Sequence, residues 1–275
     1  MRVDFAFLDS GTGGLPYMKA LKNKLPSAKC VYLGDTAHFP YGEKSFSQVA
    51  ECASLAVDLI IKKWNPKTIV VACNTISVTA LDILRKNFPQ VPIVGTVPAI
   101  KLAGKISVNR KIGLLATNAT VNHPYCRKLI QDFASDCQVF NRGDPELISF
   151  IEKNLFTSTE EQKIEAVKNA VDFFKANECD TVILGCTHFT HIADVMKKSF
   201  GEKVNVVDSR EGVANQALKQ FKLYGKNESC EGEKALCVKD CTFFVTEASE
   251  SETEEYVTLC KNMDIPWGGT VEFSK

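Results

Sequence analysis

Two cysteines carry the strongest chemical signal in the chain. Cys73 lies in TIVVACNTIS and Cys186 in TVILGCTHFT, 113 positions apart. Each string runs from Thr through four small or aliphatic residues to the thiol and then turns polar. An apolar residue then recurs about every four positions: Ile76, Ala80, Leu84 and Phe88 after the first cysteine, and Ile192, Met196 and Phe200 after the second. This places each cysteine between a buried strand and the start of a helix. A free thiol has a pKa of roughly 8.5, and a helix N-terminus lowers it because unpaired N–H groups and the macrodipole favour the thiolate. Thiols tuned in this way can act as base and acid in proton transfer. Either cysteine alone reads more readily as a small buried hydrophobe than as a catalytic group. The matched pair is what points to chemistry.

The surrounding residues are polar and mostly neutral. Ser10, Asn74, Thr75, Thr117, Thr120 and Thr187 fall at strand ends and could ring the charged ends of a small ligand such as an amino acid. Asp9 closes an apolar run before a glycine-rich loop and is either a turn and cap residue or an acid aimed at a ligand. His188, two positions from Cys186, suits a proton partner or a ligand contact, whereas His191 suits a helix surface or cap. Cys186, His188 and His191 lack a second ligand cluster, so no metal is expected. Tyr41, in FPYG, either packs at a Pro–Gly turn or touches a ligand. Glu152, opening the charged stretch EKN, reads by default as a solvated helix residue. Gly11, Gly13 and Gly14 invite a dinucleotide reading, but Pro16 stands where the fingerprint needs its last glycine.

The elements that would position these residues read as α/β. Short Val, Ile and Leu runs, each followed by small polar residues and then a helical period, recur in VDFAFLDSGTGG, AKCVYLGDTAHFPYG, KTIVVACNTISVTAL, KIGLLATNATV, DTVILGCTHFTHIADV and VNVVDSREGVANQAL. Open sheets of this kind bind ligands at the carboxyl ends of their strands. The two cysteine strings resemble one another, and FAFLDSGTGG pairs more loosely with KIGLLATNAT in the same order, so a duplicated unit is the simplest account. The chain is expected to leave its first lobe near VPIVGTVPAIKLAG and return between Asp208 and Gly212. This gives a first lobe of residues 1–97 with 211–275 and a second of 98–210. LYGKNESCEGEKALCVKDC reads as a hairpin or loop, and TFFVTEASESETEEYVTLC as strand, turn and helix closing the first lobe.

Composition sets limits on function. A chain of 275 residues suggests about two domains and hence a cleft. With 33 basic and 33 acidic residues there is no charge surplus to drive nucleic-acid binding. The opening MRVDFAFLDS lacks a signal-peptide core and no later run is long enough to span a bilayer, so no membrane association and a cytoplasmic location are expected. Eleven irregularly spaced cysteines then argue for reduced thiols. Cys230, Cys237 and Cys241 lack the paired spacing of a zinc ribbon and read as core or surface thiols.

The ordered strings LDSGTGGL, GDTAHFPYGEKS, VVACNTIS, LATNATV, LGCTHF and VVDSREGVA resemble the glutamate racemases of the cofactor-independent aspartate/glutamate racemase superfamily, over most of the chain. The resemblance implies two pseudo-twofold-related α/β lobes with mostly parallel sheets, an active site in the cleft between them, and one catalytic thiol per lobe, Cys73 and Cys186. It maps substrate contacts onto Asp9, Ser10, Pro40, Tyr41, Gly42, Asn74, Thr75, Thr117, Thr120, Thr187 and His188. Asp9 would assist Cys73 and His188 would assist Cys186, with Cys186 deprotonating the L-isomer and Cys73 the D-isomer. Aspartate racemases typically carry Glu where this chain has His188, so the implied substrate is glutamate. The resemblance also implies no cofactor, D-glutamate for peptidoglycan precursors and, as is common in the family, a homodimer. Two regions depart from the family pattern. In CQVFNRGDPELISFIEKN the family's auxiliary glutamate falls on Glu152 or Glu146, and the stretch from Cys230 to Cys241 matches poorly.

Overall fold

The computed structural model describes residues 2–224 and 241–273. Most of the polar segment expected as a hairpin or loop, with Cys230 and Cys237, lies outside them. The chain divides into two compact units, residues 1–96 with 210–275, and residues 97–209. The crossings therefore fall one residue earlier than the sequence boundaries suggested.

The first unit opens with β1 (Phe5–Asp9), α1 (Leu15–Lys24), β2 (Cys30–Gly34), α2 (Phe46–Trp64), β3 (Thr68–Val71), α3 (Asn74–Asn87) and β4 (Ile93–Gly95). The second unit comprises α4 (Ile100–Ile106), β5 (Lys111–Ala116), α5 (Asn118–Asn122), α6 (Pro124–Phe133), β6 (Gln138–Gly143), α7 (Pro145–Lys153), α8 (Glu160–Ala176), β7 (Thr181–Leu184), α9 (Ala193–Phe200) and β8 (Asn205–Val207). The chain then completes the first unit with α10 (Arg210–Tyr224), β9 (Cys241–Val245), α11 (Glu250–Met263) and β10 (Trp267–Thr270).

The first sheet has the order β10-β9-β2-β1-β3-β4 and the second β6-β5-β7-β8, with every pairing parallel. Stripped of β9 and β10, the first sheet reads second-first-third-fourth strand, and the second sheet has the same order. The duplication seen in sequence is thus one of topology. β1 corresponds to β5 and β3 to β7, as the paired strings require. In each copy the connection after the first strand runs one way across the sheet and the next runs the other way. The carboxyl ends of β1 with β3, and of β5 with β7, therefore flank a topological switch point, where such sheets leave a crevice.

The central strands β1, β2, β3 and β7 are buried without alternation, as expected of a parallel sheet covered on both faces. All five residues of β1 and of β2, and all four of β3 and of β7, are buried. Val49, Ala53, Val57, Ile60 and Trp64 of α2 pack with Ile76, Ala80 and Leu84 of α3 on one face of the first sheet. A Ser45–Gln48 capping box starts α2, and Asn65, in the left-handed region at φ 41°, ends it. In the second unit Ile112, Leu114, Ala116 and Ile183 pack with Ile100, Ala103 and Cys126. Among the described residues no helix is long and apolar enough to cross a membrane.

Candidate active site

In the first unit the backbone of the switch-point loops is tightly set. Leu8 of β1 lies opposite Val71 of β3, so Asp9 and Cys73 leave neighbouring strands at almost the same level. Asp9 is fully buried and its Oδ1 accepts from the backbone N–H of Ser10 at 2.6 Å. The loop that follows passes so close to β3 that a Cβ at Gly14 would sit 2.6 Å from the Cβ of Ala72 and 2.9 Å from its carbonyl oxygen. Glycine is required there for close approach. The Tyr32 hydroxyl braces this loop, donating to the Gly11 carbonyl at 2.8 Å and accepting from the Gly14 N–H at 2.9 Å.

Cys73 caps the N-terminus of α3, as the sequence predicts, with an extended backbone (φ −140°, ψ 119°). The next residue, Asn74, is 2% exposed, and neither its Nδ2 nor its Oδ1 has a partner among the described residues. A buried amide left unpaired costs on the order of 1–3 kcal/mol, so such a group calls for a ligand. Thr75 is buried beside it. Tyr41 and Gly42 follow a cis peptide between Phe39 and Pro40. Tyr41 is buried and its hydroxyl donates to Asp35. Burial and then the Asp35 charge push that hydroxyl far above the ordinary tyrosine range, making it a fixed donor.

In the second unit the equivalent strand ends carry different chemistry. Thr117, after β5, caps α5 and accepts from the Thr120 N–H at 3.1 Å, while its hydroxyl donates to Thr120 Oγ1 at 2.9 Å. Cys186 follows β7 but leads into a 3-10 turn, His188–Ile192, before α9. The α-helix start expected at Cys186 is therefore absent, and a dipole argument does not extend to this thiol. A different device takes its place. His188 Nδ1 lies 3.7 Å from Cys186 Sγ, and His188 Nε2 lies 2.7 Å from Glu152 Oε2. Burial disfavours the charged imidazole, but the Cys186 and Glu152 interactions outweigh it and hold His188 well above its usual 6.5. The imidazolium form that this favours would donate from both nitrogens, to the sulfur and to the carboxylate.

Glu152 is thus not the solvated helix residue that its sequence setting suggests; its side chain is 7% exposed. Of the two candidate glutamates, Glu152 near the end of α7 reaches His188, whereas Glu146 in the first turn is exposed. Asp144 fixes the start of α7 by accepting from the Leu147 N–H at 3.1 Å and is itself held by Arg142 at 2.8 Å. His191 turns its ring edge-on to Phe156, with centroids 5.5 Å apart. Thr187 is buried, and its carbonyl accepts from Thr190 Oγ1 at 2.8 Å. The residue missed by sequence reasoning is Asp35. It directly follows β2, much as Asp9 closes β1, and that shared signal, an apolar run closed by Asp, could have revealed it.

A duplicated parallel α/β protein with a thiol two residues beyond the third strand of each copy belongs to the class that carries paired cysteines at its switch points. The Asp/Glu/Hydantoin racemase family model matches residues 17–217. A glutamate racemase of Treponema pallidum (strain Nichols) is 37% identical over 273 residues, covering 98% of this chain and 96% of that protein. One from Shewanella piezotolerans is 40% identical over 216 residues, covering 78% and 79%. The crystal structure of Escherichia coli glutamate racemase in complex with L-glutamate and the activator UDP-MurNAc-Ala superimposes with a TM-score of 0.85 at 27% identity, over 100% of both chains. The chain belongs to the Asp/Glu/Hydantoin racemase family and is a racemase.

Proposed function

We propose that this racemase interconverts L- and D-glutamate, with Cys73 and Cys186 as the two proton-transfer groups and no cofactor, and that it supplies D-glutamate for peptidoglycan precursors. The observation that carries this reading is the equivalence of the two thiols, one beyond β3 and one beyond β7, in copies with the same strand order. The α-proton of an amino acid, on Cα, is a very weak acid, and inversion must remove it from one face and return a proton to the other. Two thiols addressing opposite faces meet this need, one as thiolate base and the other as thiol acid.

The remaining residues take roles suited to their surroundings. The uncommitted Asn74 amide offers a donor to a carboxylate and an acceptor to an ammonium, the two charged ends of an α-amino acid. With Ser10, the Tyr41–Gly42 segment, Thr75, Thr117, Thr120 and Thr187 it would provide neutral, preorganised stabilisation of the negative charge that develops in the transition state. Asp9 serves Cys73 as proton partner, and His188, charged and backed by Glu152, serves Cys186. The Glu152–His188 pair favours glutamate over aspartate as substrate, since the aspartate-type relatives carry a carboxylate at the His188 position. Cys186 acts on the L-isomer and Cys73 on the D-isomer.

The test is turnover of L-glutamate and of L-aspartate by purified protein with reductant and a chelator but no added cofactor, followed by optical rotation. Loss of rotation with glutamate, and at least about 10²-fold less with aspartate, is expected. Faster turnover of aspartate would move the assignment to the sister activity, and inertness towards both would refute it.

A further inference from the structure

We propose that Asp35 and Thr246 form a positioning pair that holds the Tyr41–Gly42 segment in its substrate-binding conformation, an inference that rests on the glutamate reading above. The Asp35 carboxylate is wholly buried and faces three donors. Oδ2 accepts from the Tyr41 hydroxyl, Oδ1 accepts from Thr246 Oγ1 at 2.9 Å, and His38 Nδ1 lies 3.0 and 2.9 Å from the two oxygens. A carboxylate offers about four acceptor positions, so this set satisfies it without a lysine or arginine.

The arrangement reaches beyond a local turn. Between Thr36 and Glu43 the backbone forms only two 3-10 turns, Thr36–His38 and Tyr41–Glu43, which are too short to be self-supporting. Support comes from the end of β9, a strand that joins this unit only after the chain has returned from the second unit, and whose residues lie past the stretch matched by the family. Ala37 N–H donates to Thr246 Oγ1 at 3.0 Å, Glu247 N–H donates to Thr36 Oγ1 at 3.0 Å, and the Thr36 hydroxyl donates to the Glu247 carbonyl at 2.5 Å. Each of these links lands on residues 35–37, and Asp35 passes the constraint on to Tyr41. Phe273 adds a ring contact to His38, with centroids 5.3 Å apart. The C-terminal segment is therefore the anchor of a substrate loop far earlier in the chain.

The test compares KM and kcat for glutamate in Asp35→Asn, Thr246→Val, Thr246→Ser, Tyr41→Phe and the double variant Asp35→Asn/Tyr41→Phe. Asp35→Asn replaces one acceptor oxygen by a donor among donors and is expected to raise KM about tenfold, with kcat changed by less than about threefold. Thr246→Val raises KM by about threefold or more, and Thr246→Ser, which restores the hydroxyl, returns it towards wild type. Because Asp35 acts through Tyr41, the double variant is no worse than its more affected parent. An unchanged KM in Asp35→Asn and Thr246→Val, with only thermal stability reduced, would overturn the positioning role. So would additive losses in the double variant. Should Asp35→Asn fail to fold, the Thr246→Val and Thr246→Ser pair decides alone. Wild-type protein inert towards glutamate overturns the substrate reading and this inference with it, whereas an active wild type with unmoved variants overturns the inference only.

Discussion

At the scale of single residues, the two thiols have unlike neighbours although their strands are equivalent. Cys73 has a helix N-terminus and a buried carboxylate on the adjoining strand; Cys186 has an imidazole backed by Glu152. If each thiol handles one face, Cys73→Ala and Cys186→Ala should each lower racemisation by at least about 10²–10⁴-fold, measured by polarimetry. Glu152→Gln tests the backing of His188. The folded-state value of His188 is raised, so its charge contributes stability that is fully present below about 6.5 and is lost as pH rises through the folded value. Glu152→Gln removes much of that shift. Its deficit in thermal unfolding, about 1–3 kcal/mol, should therefore be largest near pH 6.5 and narrow at alkaline pH. A deficit independent of pH would mean that His188 is not charged in the folded protein. The placement of Cys73 and Cys186 just beyond β3 and β7, with His188 beside the second, was legible in the sequence because apolar runs ending in polar residues mark strand ends. Glu152 was not singled out by its own setting, because the fold brings it from a separate helix, 36 positions away, to His188.

Among the elements, strands buried on both faces were the most legible, since they leave uninterrupted apolar runs. β6, in QVFNRG, and β10, in WGGT, lack a fully buried face and show no such run, and neither was anticipated. The helix expected directly after Cys186 is a 3-10 turn. Its apolar period was real, but Ile192, Met196 and Phe200 belong to the end of that turn and to α9. Loop bracing is equally invisible to periodicity. Tyr32 sits in the middle of a buried strand, yet its hydroxyl ties Gly11 to Gly14 beside Asp9. Tyr32→Phe should destabilise the protein by about 1–3 kcal/mol, because a buried carbonyl and a buried N–H lose their partner, and should also lower kcat/KM. In contrast Thr159→Ala, which removes the exposed capping box of α8, should cost about 1 kcal/mol of stability and leave turnover unchanged. Chemical denaturation and steady-state kinetics on both variants separate these effects; equal kinetic losses would contradict the bracing role of Tyr32.

For the molecule as a whole, a duplicated fold raises the question of how many substrates it holds. Each unit has its own switch point, and two independent sites would bind two ligands per chain. The proposed chemistry requires one Cα served by both thiols, so calorimetric titration of the Cys73→Ala/Cys186→Ala double variant should give one glutamate per chain. The most direct test of the two-thiol account is the early time course of wild-type turnover in deuterated water, with the α-hydrogen content of both enantiomers read by mass spectrometry. Starting from L-glutamate, the account predicts that the D-glutamate formed carries deuterium at Cα while the remaining L-glutamate still carries protium, because one thiol removes the proton and the other delivers a solvent-derived deuteron. D-glutamate that retained the original protium, or equal early labelling of both enantiomers, would show a single base working both faces and would contradict it.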